Sequence, residues 1–236
     1  MTRRHLMIWP LLWLTLWSSL PLLAQEDDDF VGSFTIEVRE FKKGKERKDS
    51  PYRTRYHLDE GRFAVEPDLD EDKDNITMVY DQADKKIITK TVSDGERSAT
   101  ITPMIKLSLG MNRQSDEDEG VTVEATGRSK TIQGYTCQAY RIITEDGVTL
   151  AWIAPDLHIN LGSATDMVKI KGVEGAQTSA SRYDLQGTVL EAHTEEKGGK
   201  ITRDYYLQDI VVGEVPEAVF SLEGFEVIDV MNPFGN

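Results

Sequence analysis

The chain has little of the chemistry on which most enzymes and metal proteins depend. It contains one cysteine, Cys137, and four histidines in 236 residues. One cysteine cannot close an intramolecular disulfide, and zinc usually needs several cysteines or histidines at short spacing, which this sequence does not offer. No Gly-x-Ser-x-Gly motif is present to position a nucleophilic serine. The sequence therefore predicts no enzyme activity, no metal site and no cofactor.

Positive charge is also scarce. Lysine and arginine total 27 against 41 aspartates and glutamates, which gives a formal net charge of -14. An acidic surface repels phosphate backbones, so nucleic acid is not expected as a partner. The basic exception is the run KKGKERK at 42–48. It is interpreted either as a solvated turn or as a docking point for an anionic head group or an acidic partner face.

Long hydrophobic runs are absent except at the beginning of the chain. Arg3 and Arg4 precede an apolar stretch at 6–17, and Ala24 ends a segment suited to signal peptidase. This layout predicts a signal peptide at 1–24 and a periplasmic or secreted protein; the alternative is an uncleaved anchor. Since no cysteine follows the apolar stretch, no acyl group and no stable membrane anchor are expected after cleavage.

The remaining residues, 25–236, are long enough for one domain with a sizeable core. In FVGSFTIEVREF, the side chains of Phe34, Ile36 and Val38 alternate with polar ones, which is typical of a half-buried strand. About a dozen such short runs, separated by charged or glycine-containing turns, predict a mainly β protein. Two segments break this pattern: 103–111 is expected to form a short helix, and 156–172 a loop with a helical turn.

Two acidic runs suggest calcium, but their spacing fits poorly. Asp70, Asp72 and Asp74 alternate as in the first half of a calcium loop, yet Asn75 stands where the turn glycine belongs. The second run, at 115–120, has the same character. Both are interpreted as solvated hairpin tips, with calcium-dependent adhesion as the weaker alternative.

The lone thiol lies in the strand-like run YTCQAYRI. A period of two places Tyr135, Cys137, Ala139 and Arg141 on one side of this strand. A free cysteine between small and aromatic neighbours usually behaves as a small hydrophobic core residue. We therefore expect a buried, unreactive thiol; redox chemistry or intermolecular pairing is the alternative.

Three stretches, GRSKTIQGYTCQAYRI, VTLAWIAPDL and VPEAVFSLEGFEVIDV, resemble a family of exported bacterial proteins known only as a domain of unknown function. Its motif positions correspond to Gly134, Tyr135, Cys137, Tyr140 and Trp152, and to Pro216, Phe220 and Gly224 near the end. Glu223 departs from the proline common in the family, and Phe225 replaces its usual tyrosine. Members are similar in fold to the lipoprotein-carrier (LolA/LolB-like) superfamily.

This resemblance implies a single curved antiparallel sheet that forms an unclosed half-barrel, with one or two short helices against its concave face. It assigns no catalytic residues. The expected function is a non-enzymatic envelope protein that binds an apolar or acyl ligand, such as a lipid chain, in the concavity. The residues predicted to line it are Phe34, Ile36, Val38, Met104, Leu107, Leu150 and Trp152. The alternative is an interaction or structural module, with another envelope protein as partner and a filled core.

Overall fold

The computed structural model describes residues 30–67, 75–104, 120–159 and 185–230. These residues form a single sheet of thirteen strands. The strands are β1 (Gly32–Lys42), β2 (Lys45–Glu46), β3 (Tyr52–Asp59), β4 (Arg62–Pro67), β5 (Asn75–Asp81), β6 (Lys86–Ser93), β7 (Glu96–Pro103), β8 (Thr122–Ile132), β9 (Tyr135–Ile143), β10 (Gly147–Ala154), β11 (Thr188–Glu196), β12 (Ile201–Val212) and β13 (Glu226–Asp229).

The sheet is one unclosed path with two free edges. Its order is β13-β7-β6-β5-β4-β3-β1-β12-β11-β10-β9-β8, with the short β2 paired to β1. Every pairing is antiparallel except that between β13 and β7, which is parallel. The prediction of a mainly β protein built on one unclosed, largely antiparallel sheet is therefore confirmed. The centre of the sheet is β1, which pairs with β3 on one side and with β12 on the other.

Residues directly opposite each other on neighbouring strands share a face, so the register defines two faces. We call the face that carries Phe34, Ile36 and Val38 the inner face. The opposite face, which carries Thr35, Glu37 and Arg39, is the outer face. The three inner residues are at most 2% exposed, and they belong to the main hydrophobic cluster of the protein.

The sheet bends sharply between β8 and β12. The side-chain amide of Gln133, in the β8–β9 turn, donates to the carbonyl of Leu207 on β12 at 2.5 Å. Strands β10 and β11 lie between β9 and β12, so a flat sheet would hold these elements about 14 Å apart. The contact therefore requires the β8–β9 hairpin to bend back toward β12. Glycine at 134, with a φ of 86°, completes this turn.

The chain leaves β12 and crosses the outer face before it pairs with β7. We call residues 213–225 the strap. Its 3₁₀ turn, Glu217–Val219, brings Phe220 onto a small apolar cluster of β4–β7, and Phe220 is only 7% exposed. The Arg62 guanidinium lies 4.1 Å from the Phe220 ring centroid and also binds the Glu217 carboxylate at 2.7 Å. The strap thus covers the outer face where that face is apolar.

The predicted short helices are not borne out. The described part of the chain contains no α-helix, and the only helical turn is the 3₁₀ turn of the strap. Pro103, expected to begin a helix, is instead the last residue of β7, because the β-sheet pairing with Lys86 continues to this point. The rest of the predicted helix, 105–111, and residues 160–172 of the second segment lie outside the described residues. So do the signal peptide, Asp70, Asp72, Asp74 and most of the 115–120 run.

Candidate ligand-binding faces of the sheet

The inner face is rich in stacked aromatic rings. Phe34 and Tyr56 stack with ring centroids 5.2 Å apart, and Phe63 and Tyr80 stack at 4.4 Å. These pairs follow from the register, since Phe34 lies opposite Tyr56 across β1 and β3, and Phe63 lies opposite Tyr80 across β4 and β5. Aromatic cross-strand pairs of this kind stabilise a sheet and present a wide apolar surface.

One hydroxyl on this apolar surface has no partner. Tyr56 is 1% exposed, and its hydroxyl makes no hydrogen bond within the structure. Burial raises the pKa of Tyr56, so the phenol is neutral across the physiological range. Tyr80, by contrast, directs its hydroxyl to the sulfur of Met78 at 3.9 Å. An unpaired buried hydroxyl costs stability, and it can serve as a donor for a polar group brought in by a ligand.

The structure places six of the seven predicted lining residues in or against one hydrophobic cluster, but not all on one face of the sheet. Phe34, Ile36 and Val38 share the inner face, as the alternation in β1 indicates. Leu150 and Trp152 lie on the outer face. The register passes from Val38 to Tyr205, then to Ala192 and Ala151, so Ala151 shares the inner face and its two neighbours do not.

The other two predicted lining residues lie at the end of β7 and beyond it. Met104, just past β7, is partly buried and packs against the main cluster. Leu107 lies outside the described residues. No ligand contact is established for any residue of the predicted lining.

Trp152 is enclosed by basic side chains of β8. The Lys130 ammonium lies 4.4 Å from its ring centroid and the Arg128 guanidinium 5.2 Å. Lys130 also forms an ion pair with Glu191, the direct neighbour of Trp152 on β11. Trp152 is 9% exposed, so this end of the outer face is a packed cation-π arrangement.

Cys137 is a buried core residue, as predicted from the sequence. It is 0% exposed and free, and its thiol donates to the carbonyl of Tyr135 at 3.6 Å. Burial raises the pKa of Cys137, which disfavours the reactive thiolate. Of the other motif positions, Gly134 makes the β8–β9 turn, and Tyr140 donates its hydroxyl to Gln138. These contacts are structural.

Two of the histidines, His57 and His193, pair with carboxylates. His57 lies 3.2 Å from Glu66, and His193 lies 2.6 Å from Asp204. The hydrogen bond from His57 holds the pKa of Glu66 below its usual value. Within the described ranges, no group of three His, Cys, Asp or Glu side chains could hold a metal ion. No helix in the same ranges is long and apolar enough to cross a bilayer.

The basic run at 42–48 forms the β1–β2 hairpin. Arg47 is neutralised by Glu40 at 2.6 Å. The lysines at 42, 43, 45 and 48 are exposed and have no ion pair in the described part of the chain. The structure thus leaves both interpretations of this run open to experiment.

The outer face contains a charged arrangement that sequence reasoning missed. Glu37 is 2% exposed, and its two carboxylate oxygens accept from Arg39 Nε and Arg53 Nε, each at 2.6 Å. Burial alone would raise the pKa of Glu37, but the hydrogen bonds from Arg53 and Arg39 outweigh it and hold the pKa below its ordinary value. The sequence signal was present in EVR and YRT: Arg39 lies two residues from Glu37 on the same face. The contribution of Arg53 depends on the β1–β3 register.

A protein-family model described as "Domain of unknown function (DUF4412)" matches residues 51–183, more than half of the chain. The chain belongs to this family. The match begins just before β3, so it leaves out β1 and β2 but includes β3–β7, which resembled the family only in their strand pattern. It ends before the strap, so the closing segment with Pro216, Phe220 and Gly224 lies beyond the matched range. No curated protein sequence matches this DUF4412 chain significantly.

Several solved structures are similar to this DUF4412 chain at low scores. PNGF-II matches at 11% identity and a TM-score of 0.33, over 86% of this chain and 32% of its own. The chain therefore spans about a third of PNGF-II. The Mycobacterium tuberculosis lipoprotein LppX matches at 12% identity and 0.37, over 76% and 86% of the two chains.

A LolA superfamily protein from Nitrosomonas europaea matches at 9% identity and a TM-score of 0.31, over 83% of this chain and 91% of its own. Since all these TM-scores are below 0.5, the likenesses carry no functional conclusion.

Proposed function

We propose that this chain is a non-enzymatic envelope protein that binds an apolar or acyl ligand against the inner face of its sheet. The observation that carries the proposal is the unpaired hydroxyl of Tyr56 on a face of stacked aromatic rings. Apolar side chains supply the favourable transfer of an acyl chain from water. The Tyr56 hydroxyl supplies one polar contact that fixes the ligand's orientation, which is the usual composition of a small-molecule site.

Ligand entry requires the inner face to open. Phe34, Ile36 and Val38 are at most 2% exposed, so an acyl chain reaches them only when the residues packed over them move. Leu157 and Ile159, at the end of β10, are among the side chains that pack against this cluster. The proposal therefore includes displacement of these side chains by the ligand.

The sealed inner face is also the observation that favours a second function. A face closed to solvent at Ile36 and Val38 is what a filled core requires, and the concave surfaces of the outer face are lined mostly by polar side chains. If the core is filled in this way, the chain is an interaction module of the envelope, and Tyr56 is a core residue whose hydroxyl is unsatisfied.

Mass spectrometry of lipids extracted from the natively purified protein separates the two. Acyl ligand binding predicts lipid that co-purifies and long-chain fatty acid that binds saturably after delipidation. The Tyr56→Phe variant should bind about three- to tenfold more weakly, because it loses one hydrogen bond worth about 0.5–1.5 kcal/mol. Tyr80→Phe is the matched control and should bind as the parent protein does. Absence of both bound lipid and saturable binding would leave the interaction module as the function.

A further inference from the structure

A polar groove crosses the middle of the outer face. One half, with a volume of about 480 Å³, lies beside Arg39 and Tyr206. The other half, about 540 Å³, lies beside Arg53 and Arg55. Gln208 and Asp209 of β12 line both halves, so the two are neighbouring parts of one surface. β12 is irregular here, with a register shift against β1 and a φ of 53° at Asp209. Such bulges often occur beside functional sites.

Buried Glu37 orients one arginine toward each half. It binds both Arg39 and Arg53 through their Nε atoms, at 2.6 Å each. The two arginine side chains are 42% and 50% exposed, and the terminal Nη groups make no further ion pair within the described residues. A carboxylate that is 2% exposed is costly to bury, so its placement between two half-exposed arginines is a specific arrangement. It leaves planar N–H donors directed at the groove.

A buried hydroxyl without a partner lies in the same groove. Thr35 is 9% exposed, lines the half beside Arg53, and its Oγ1 makes no hydrogen bond in the structure. Across the strands it lies directly opposite Arg55 on β3 and Gln208 on β12. Arg55 is exposed and has no ion pair among the described residues. A hydroxyl, an amide and an exposed guanidinium therefore stand in one row, which continues across β4 to Glu66.

The remaining acidic groups of the groove are mostly satisfied. Glu66 binds His57, and Glu191 binds Lys130. Asp209 is the exception, since it is exposed and carries no partner in the described part of the chain. Glu66 also faces Arg55, its direct neighbour across β3 and β4, and the positive charge of Arg55 helps to lower the pKa of Glu66. Arg39, Arg53 and Arg55 therefore lie among carboxylates, and what the groove offers an anion is a set of oriented, partly exposed N–H donors in a protein whose formal net charge is -14.

We propose that this groove is an oxyanion-binding site, in which Arg39, Arg53 and Arg55 bind phosphate or carboxylate groups and the Thr35 hydroxyl donates to one of their oxygens. Guanidinium groups match such anions with paired hydrogen bonds. Glu37 is the positioning residue, because it holds two guanidiniums without touching the anion. The site lies on the opposite side of the sheet from Tyr56, so it does not depend on the proposed acyl ligand.

Binding can be measured by isothermal calorimetry and thermal unfolding with inorganic phosphate, against sodium chloride at equal ionic strength. Saturable binding of phosphate is expected. Arg53→Gln should weaken phosphate binding about tenfold or more, which is the range for a lost charged hydrogen bond. Arg39→Gln should have the same effect on an anion bound in the half of the groove beside Arg39. Thr35→Val should weaken it about threefold without lowering the unfolding temperature, because the hydroxyl has no partner to lose. Asp209→Asn should tighten binding severalfold, since a repelling charge is removed while asparagine keeps the left-handed backbone.

Arg141→Gln is the matched control, since Arg141 is also 50% exposed and paired with a glutamate, Glu124, but lies outside the groove. It should leave binding unchanged. Equal losses in the Arg53 and Arg141 variants, or no difference between phosphate and chloride, would overturn the proposal. Vesicles of phosphatidylcholine with and without phosphatidylglycerol distinguish a lipid head group from a free anion. Vesicle binding that Arg53→Gln abolishes assigns the anion to a lipid, and phosphate binding alone assigns it to a soluble ligand.

Discussion

The ring of Tyr56 lies flat against the ring of Phe34, with centroids 5.2 Å apart and planes 12° from parallel. This stacking fixes the direction of the phenol and holds its hydroxyl inside the hydrophobic cluster, where it has no hydrogen-bond partner in the structure. The ring therefore contributes to the packing of the cluster, whereas its unpaired hydroxyl lowers the stability of the fold.

The Tyr56→Phe variant should be at least as stable as the parent protein, because it removes an unsatisfied buried hydroxyl and keeps the stacked ring. The gain in the free energy of unfolding should be at most about 1–3 kcal/mol. Urea unfolding of delipidated protein measures the change. Tyr80→Phe, whose hydroxyl contacts the sulfur of Met78, should change stability less. A loss of more than 1 kcal/mol in Tyr56→Phe would show that the hydroxyl has a partner in solution.

The Cys137 thiol should be unreactive in the folded protein. It is 0% exposed and its pKa is raised by burial, so a thiol reagent should label it only after denaturant is added. Cys137→Ser should lower the free energy of unfolding by about 1–3 kcal/mol, because a hydroxyl is more costly to bury than a thiol. Rapid labelling under native conditions would contradict the core assignment.

Lys130 should control the environment of Trp152. Truncation in Lys130→Ala removes the cation over the ring and the ion pair with Glu191, so the indole becomes more exposed. A red-shifted emission and stronger acrylamide quenching are expected. The other three tryptophans lie within the first 17 residues, so a chain without residues 1–24 has a single fluorophore. Arg141→Ala serves as the control, and an unchanged spectrum in Lys130→Ala would show that the stacking does not persist in solution.

Phe220 should be the main anchor of the strap. Phe220→Ala removes a ring that is 7% exposed from the cluster of β4–β7, and losses of about 3 kcal/mol are typical of such truncations. Glu217→Gln breaks only the exposed pair with Arg62 and should cost much less, because water screens exposed ion pairs. Denaturant unfolding of both variants tests the difference. Similar losses in the two would mean that the ion pair, and not the ring, fixes the strap.

Acid should destabilise the protein through Glu37. Its folded pKa lies below the ordinary value of 4.5, so its contribution to stability is complete above about pH 4.5 and is lost as the pH falls through the folded pKa. Glu37→Gln should therefore lose less stability than the parent between pH 6 and pH 3, although it is less stable at pH 7. Glu145→Gln, in an exposed turn, should keep the parent's pH dependence. Parallel curves for the parent and Glu37→Gln would contradict this assignment.

Local patterns in the sequence were enough to predict most strands. The alternation of Phe34, Ile36 and Val38 identified both β1 and its buried side, because a strand repeats every two residues whatever surrounds it. The same period placed Tyr135, Cys137 and Ala139 together. Strand β13 was missed, since its pairing with β7 depends on a chain segment that passes from β12 across six strands, and nothing in EVID specifies a parallel partner.

The composition of each face could not be predicted in the same way. Whether Trp152 joins Ile36 depends on the register of three successive pairings between β1 and β10, and a shift of one residue in any of them exchanges the faces. The register places Trp152 and Ile36 on opposite faces, although both belong to the main hydrophobic cluster. The Glu37–Arg53 contact has the same origin, because the two residues lie 16 positions apart and meet only through the β1–β3 register.

The pairing of β1 with β12 also sets an order for folding. Gly32 lies opposite Val212, so the centre of the sheet joins two strands separated by almost the whole of the described chain. The strands of β3–β7 and of β8–β10 pair with their neighbours in sequence and can form early, whereas the pairing of β1 with β12 must wait until β12 has been made. A chain that leaves the ribosome gradually therefore stays without its central strand pairing until β12 has been made.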